Sequence, residues 1–343
     1  MMRLPLSWLL VFTTAALALL LLGSLATGPM TLTLGESLRA LFAGQESGIE
    51  SHKLLIVQEI RLPRTLLCIA VGGILGLCGA VMQGLFRNPL ADPGIIGVSG
   101  GAALGAALAI VLLAPLGQQL QATIGVGLLP LLAFLGGALT TTLVYLLGTR
   151  EGGTSVTVML LAGVAITALS GAVIGLLTYL ADDQMLRNLS LWQMGTLAAG
   201  KPADVALALL TLAALLWLFM RDANPLNALL LGEGEARHLG VNVQSLKRRL
   251  ILLTAAGVGV AVAVSGMIGF VGLVVPHLVR LLAGPNHVRL LPLSALLGAA
   301  LLLAADMLAR TLLAPAELPV GIITALLGAP FFIWLLVKGR RAL

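Results

Sequence analysis

The stretch RLPRTLLCIAVGGILGLCGAVMQGLFRNPLADPGIIGVSGGAALG, residues 61–105, decides how the chain is read. Two arginines three residues apart, Arg61 and Arg64, share one face of a starting helix. An apolar, glycine-laced run follows, close to the ~20 residues that a bilayer core demands of a helix. It ends in a polar, proline-broken turn, Arg87-Asn88-Pro89-Leu90-Ala91-Asp92-Pro93-Gly94, after which the chain turns apolar again. No water-soluble fold needs two such runs joined this way. The pattern is that of a membrane hairpin that re-enters the bilayer.

Composition agrees. Of 343 residues, 59% are hydrophobic and only 10% charged, with 41 glycines. Mean hydropathy is +1.07, outside the range of an ordinary soluble domain. Glycine is well tolerated in membrane helices, where it lets backbones approach. Cys68 and Cys78 lie in one apolar run and read as small buried residues rather than a disulfide framework. The net charge of +6 is scattered through short loops, which fits loop bias and not nucleic-acid binding.

Working outward, Trp8 to Leu25 reads as a retained first helix; it is long for a cleaved signal core and lacks a small-x-small site. Residues 27–60 read as an external, periplasmic loop with room for a short surface helix. Further spans are expected at about 62–84, 94–113, 122–147, 156–180 and 203–220, with a break from Pro115 to Gln121, a tight loop at 150–153 and a short interfacial helix within 182–201. The polar stretch 221–249 comes next. The run from Leu250 to Ala283, interrupted by Gly266, Gly269 and Gly272, reads as a hairpin with one short arm. Spans at 290–309 and 318–337 complete about ten helices in a single all-α, polytopic membrane domain over 1–343. With both termini in the cytoplasm, 13 basic residues lie inside, Arg3 and Arg341 among them, and seven outside.

If such a membrane chain moves a solute, its residues limit how that work is powered. A P-loop needs a glycine-rich turn ending in Gly-Lys-Ser/Thr. Of four lysines, only Lys201 follows a glycine, and Pro202 comes next. An ion-coupled carrier needs ionisable groups near mid-membrane. The central parts of the spans have none; Asp306, Arg310 and Glu317 come nearest, at one external end. Were the chain a transporter, its energy would have to come from a separate subunit. The competing classes are an ion-coupled secondary transporter or channel and, more remotely, a purely structural membrane protein.

The motif RLPR…GAVMQGLFRNPLADPGIIGVSGGA, with LLLGEGEARHLGV at 229–241, GFVGLVVPHLVRL at 269–281 and the segment 305–336, resembles the FecCD-type permease subunits of binding-protein-dependent ABC importers for iron chelates, haem and cobalamin. The resemblance runs from near Arg61 to the C-terminus. It implies an inner-membrane homodimer served by two ATP-binding-cassette subunits and a periplasmic substrate-binding protein, with no cofactor, no metal site and no catalytic residue of its own. On residue types alone, Glu233, Glu235, Arg237 and Leu239 sit in either a plain solvated loop or a rigid piece between glycines; the resemblance makes them the ATPase-coupling contacts. Arg61, Arg64 and Arg310 read either as interfacial snorkelling arginines or, by resemblance, as the docking points for glutamates of the binding protein.

By the same similarity Ser155, Val156 and Thr157 occupy the cytoplasmic gate, and Val164, Thr167, Ser170 and Ile174 form a stripe facing the translocation path between two copies. Small-residue spacings such as Gly72-x-x-x-Gly76, Gly97-x-x-x-Gly101-x-x-x-Gly105 and Gly171-x-x-x-Gly175 read first as close helix packing. His277 is expected to be structural or gating rather than a haem ligand, and His52, His238 and His287 to sit in loops. Met82, Met185, Met194 and Met267 are ordinary packing residues that could also touch apolar cargo. The segment LWQMGTL at 191–197 and the apolar channel tilt the cargo towards haem, with a ferric siderophore next and cobalamin as the alternative.

Overall fold

The computed structural model describes residues 5–42, 50–114, 116, 127–150, 153–198 and 200–340. Arg3, Arg341 and, but for Leu116, the break expected at Pro115 to Gln121 lie outside the described residues. The chain runs α1 (Leu6–Ala26), α2 (Leu34–Phe42), α3 (Ser51–Leu85), α4 (Val98–Val111), α5 (Leu128–Gly148), a two-stranded hairpin β1 (Thr149–Arg150) and β2 (Gly153–Thr154), then α6 (Val156–Leu180) and α7 (Asp183–Gln193). It continues with α8 (Pro202–Arg221), α9 (Ala223–Leu231), α10 (Glu233–His238), α11 (Val243–Ser265), α12 (Val271–Ala283), α13 (His287–Thr311) and α14 (Val320–Arg340).

Among the described residues, seven helices (α1, α3, α5, α6, α8, α11 and α13) are long and apolar enough to cross a membrane. Three shorter apolar helices, at Val98–Val111, Val271–Ala283 and Val320–Leu335, bring the set to the ten that the hydropathy pattern predicts. The expected short arm is α12. It is set off from α11 by a five-residue break in which Gly266 (φ 68°) and Phe270 (φ 68°) both take left-handed backbone.

Two boundaries differ from expectation. The loop expected to run to residue 60 ends earlier, because Ser51–Leu85 is one continuous helix of 35 residues. Its turn over Ile56–Arg61 is π-wide. Pro63 lies just beyond, lacking an N–H and bringing a ring that would crowd the carbonyl four residues back; a widened turn absorbs both without ending the helix. The segment 221–249 likewise loses its end to α11, whose first two turns start at Val243 after Asn242 caps the Ser245 amide (3.1 Å).

Helix α3 is the centre. Of its most apolar 18 residues 89% are buried, against 22% for α6. Glycine is what lets α13 lie against it. A Cβ on Gly72 would run into the Gly298 carbonyl, one on Gly298 into the Gly72 carbonyl, and one on Gly76 into the Ser294 carbonyl. The same device joins α4 to α5, where Gly101 meets Gly136 and Gly105 meets the Leu132 carbonyl. Gly171 and Gly175 on α6 have open space instead. Replacing Gly72 with alanine should therefore lower thermal stability in detergent by about 1–3 kcal/mol, while Gly171→Ala leaves the melting temperature unchanged; equal effects would refute this packing account.

Candidate functional site

The α3–α13 pair is antiparallel, so it places a cluster of charges at each end. At one end, Arg64 on α3 meets Asp306 on α13: Nη2 lies 2.8 Å from Oδ1, and Nε donates to the same oxygen at 2.9 Å. Arg310, one turn after Asp306, holds its other oxygen (Nε to Oδ2, 3.0 Å). Glu317 closes the set on Arg64 Nη1 at 2.7 Å. Asp306 is 0% exposed. Arg61 has no carboxylate partner among the described residues; its guanidinium donates to the carbonyls of Leu25 and Ala26 (2.7 and 2.8 Å) and to that of Met30. Arg310 also donates to the Ser24 hydroxyl (2.7 Å) and the Thr27 carbonyl (3.1 Å).

The three arginines are thus neither snorkelling nor freely displayed. All are buried, and they draw the end of α1 against α3 and α13. What they offer outward is the lining, with Glu317, Gly28, Pro29, Met30, Ile56 and Ile60, of a cavity of about 230 Å³.

The other end carries the segment after α8. Asp222 is buried and pairs with Arg249. Asn227 accepts from the His287 backbone N–H at 2.8 Å and lies 2.9 Å from its ring Nδ1. His287, expected in a loop, is instead the first residue of α13, 1% exposed and packed on Gly84. Between α9 and α10, Gly232 (φ 131°) supplies a backbone sign that other residues resist. On α10, Glu235 and Arg237 are exposed, and Leu239 follows with 63% of its surface free. Glu233 departs from this set: it turns inward to the Lys247 ammonium, Oε1 to Nζ 2.6 Å. Lys247 is 2% exposed. Its position on the buried stripe with Val243, Leu250, Ile251 and Thr254 is the sequence signal that marks it as internal.

Ser155 is the N-cap residue of α6, Val156 and Thr157 its first turn; Ser155 and Thr157 are exposed. The four residues of the expected path stripe divide between an open and a packed face of α6. Val164 is exposed, and Thr167 is exposed along its edge against Gly100. Ser170 is buried at 3% exposure, and Ile174 packs with Ala107, Ile110 and Leu177. Seating on α4 turns that face inward, which leaves the open face of α6 to Leu161, Val164, Ala165, Ala168, Ala172 and Leu176.

Met82 is core and Met185 packs beside α4. Met194 and Met267 share the lining of a cavity of about 460 Å³ with Asp92, Ser99, Gln193 and Phe270. Burial raises the Asp92 carboxyl above the usual range, opposed by the Gly94 N–H that it accepts at 2.7 Å. Among the described residues, no group of three or more His, Cys, Asp or Glu side chains could hold a metal ion. The His277 ring lies edge-on to Phe331, centroids 6.1 Å apart.

Comparison with known proteins places this arrangement. The profile of the FecCD transport family matches residues 16–338. The chain belongs to that family: it is an ABC-importer permease. It is 47% identical to the hemin transport system permease protein HmuU of Yersinia pestis, across 99% of this chain and 97% of that one. It is also 42% identical to the vitamin B12 import system permease protein BtuC of Shigella boydii, covering 97% and 96%. A solved metal-chelate type ABC transporter in an inward-facing conformation superposes with a TM-score of 0.81 at 34% identity, covering 96% of this chain and 98% of that chain.

Asp306 compensates two buried guanidinium groups at once. Removing one partner of such a cluster costs about 3–5 kcal/mol. Asp306→Ala should therefore collapse the yield of monodisperse protein in detergent, whereas Glu317→Gln, at a side chain 34% exposed, keeps it. Fluorescence-detected size exclusion of the two variants checks the ranking.

Proposed function

We propose that this chain is the inner-membrane permease of a haem importer, working as a homodimer with two ATP-binding-cassette subunits and a periplasmic binding protein. The observation that carries the cargo is 47% identity to a hemin permease over nearly the whole length. Cobalamin is the second reading, favoured by relatives named for vitamin B12 import at 40–43% identity. The chain itself is a non-catalytic conduit.

Both termini lie in the cytoplasm, which puts the Arg64–Asp306–Arg310 end outside and the α9–α10 end inside. Inside, Leu239, Glu235 and Arg237 form the exposed face that the ATPase grips, and Glu233 anchors that face to the bundle. The gate is Ser155 to Thr157. The open face of α6, with Gly171 and Gly175 unoccupied by any neighbour, meets a second copy across the path. Val164 and Thr167 then line the path, while Ser170 and Ile174 support it from behind. Outside, the arginine-lined cavity receives acidic side chains of the binding protein. Arg61, Arg64 and Arg310 are buried and already engaged, so their field at the cavity mouth contributes steering and register more than affinity.

The deciding experiment is uptake into liposomes by the purified complex, with haem, a ferric siderophore and cyanocobalamin each presented by a cognate binding protein. Haem accumulation that requires ATP is expected; ATP-dependent accumulation of cyanocobalamin alone would replace the cargo. Accumulation by the isolated chain with no ATPase present would overturn the importer reading itself.

Two narrower outcomes follow from the same surfaces. Leu239→Asp should abolish co-purification of the ATPase subunit without changing the permease melting temperature, because the side chain is exposed. Raising salt from 50 to 500 mM, about a threefold shorter Debye length, should lower the ATP turnover that the binding protein stimulates, with basal turnover much less affected.

A further inference from the structure

Lys247 does more than bury a charge. Its ammonium bridges two elements far apart in sequence, holding the Glu233 carboxylate of α10 at 2.6 Å and donating to the backbone carbonyl of Thr154 at 3.0 Å. One turn earlier on α11, the Gln244 side-chain oxygen accepts the Thr154 N–H at 3.0 Å. Both backbone polar groups of Thr154 are thus held by side chains of α11. Gly153 lies so close to the Gln244 amide that a Cβ would collide with it. Thr154 is buried, its hydroxyl lies 3.1 Å from that of Thr149 across the hairpin, and the next residue is Ser155 at the start of α6.

We propose that Lys247, assisted by Gln244, is the positioning residue that transmits movement of the ATPase-gripped segment to the gate. The proposal rests on the coupling and gating roles assigned above and names the part that joins them. The physical reason is the burial of the ammonium. Drawing Glu233 away from Lys247 leaves an uncompensated charge in a desolvated setting, which is strongly unfavourable. A displacement of α10 therefore carries Lys247 with it, and the Thr154 carbonyl follows. The hairpin then moves the first turn of α6. An apolar contact at the same place would let α10 slide; a shared ammonium does not.

The test measures cargo moved per ATP hydrolysed by the whole complex with its binding protein in liposomes, using haem, or cyanocobalamin if that is what the wild-type complex accumulates. Lys247→Met is expected to retain ATP hydrolysis while cargo per ATP falls at least about fivefold, the lower end of ordinary coupling strengths. Lys247→Arg should restore most of that ratio. Gln244→Leu removes only the second hold on Thr154 and should lower the ratio less, and it carries the test should Lys247→Met fail to assemble. A wild-type ratio in both Lys247→Met and Gln244→Leu would overturn the proposal. So would a proportional loss of hydrolysis and uptake in both, the result of a merely structural role. A wild-type complex that hydrolyses ATP without accumulating cargo would instead remove the importer reading, and this proposal with it.

Discussion

The structure depends on how closely α3 and α13 approach. Backbone lies on backbone at Gly72, Gly76 and Gly298, and in a membrane such contact replaces the hydrophobic drive that lipid cannot supply. Because the two helices are antiparallel, this one seam sets Arg64 beside Asp306 at one end and Gly84 beside His287 at the other. Were the helices to separate by the width of a side chain, both clusters would open together. The centre of the molecule is therefore stiff, and whatever moves during transport moves around it.

Charge is handled differently at the two ends. At the arginine end, three guanidinium groups share two carboxylates and a set of helix-terminal carbonyls, so the positive excess is held in place and directed at a cavity mouth. At the opposite end the pairs are separate: Asp222 with Arg249, Glu233 with Lys247, Asn227 with His287. Each joins a different pair of elements. The first arrangement gathers charge around one buried carboxylate, and the second distributes it over separate contacts between elements.

Much of this was legible in the residues. The apolar runs gave ten helices nearly in register, and α6 fell on the residues assigned to it, because a run flanked by Ser155 and Asp182 has unambiguous stops. The small-residue repeats at Gly72, Gly101 and Gly105 were internal packing, as their spacing suggested. What misled was polarity taken as a proxy for exposure. Arg61, Arg64, Arg310, Glu233 and His287 all read as surface residues, and each is turned inward because its partner lies tens to hundreds of positions away. Pairings of that range, such as Arg64 with Asp306, leave no periodic trace. The stripe on α6 divided for a related reason: helical spacing says which residues share a face, and only the neighbour, here α4, says how much of that face is open.

One feature of α3 has a mechanical corollary. At 1.5 Å per residue its 35 residues measure about 52 Å, some 20 Å more than the hydrocarbon core they cross. The surplus is not free: Leu54 and Val57 in its first turns are buried against Leu32 and Ala40, and Gln58 donates to the Ala40 carbonyl at 2.7 Å. The extension continues the innermost helix without interruption, so α2 is seated on the same rod that packs against α13, and the one irregularity between them is the wide turn from Ile56 to Arg61.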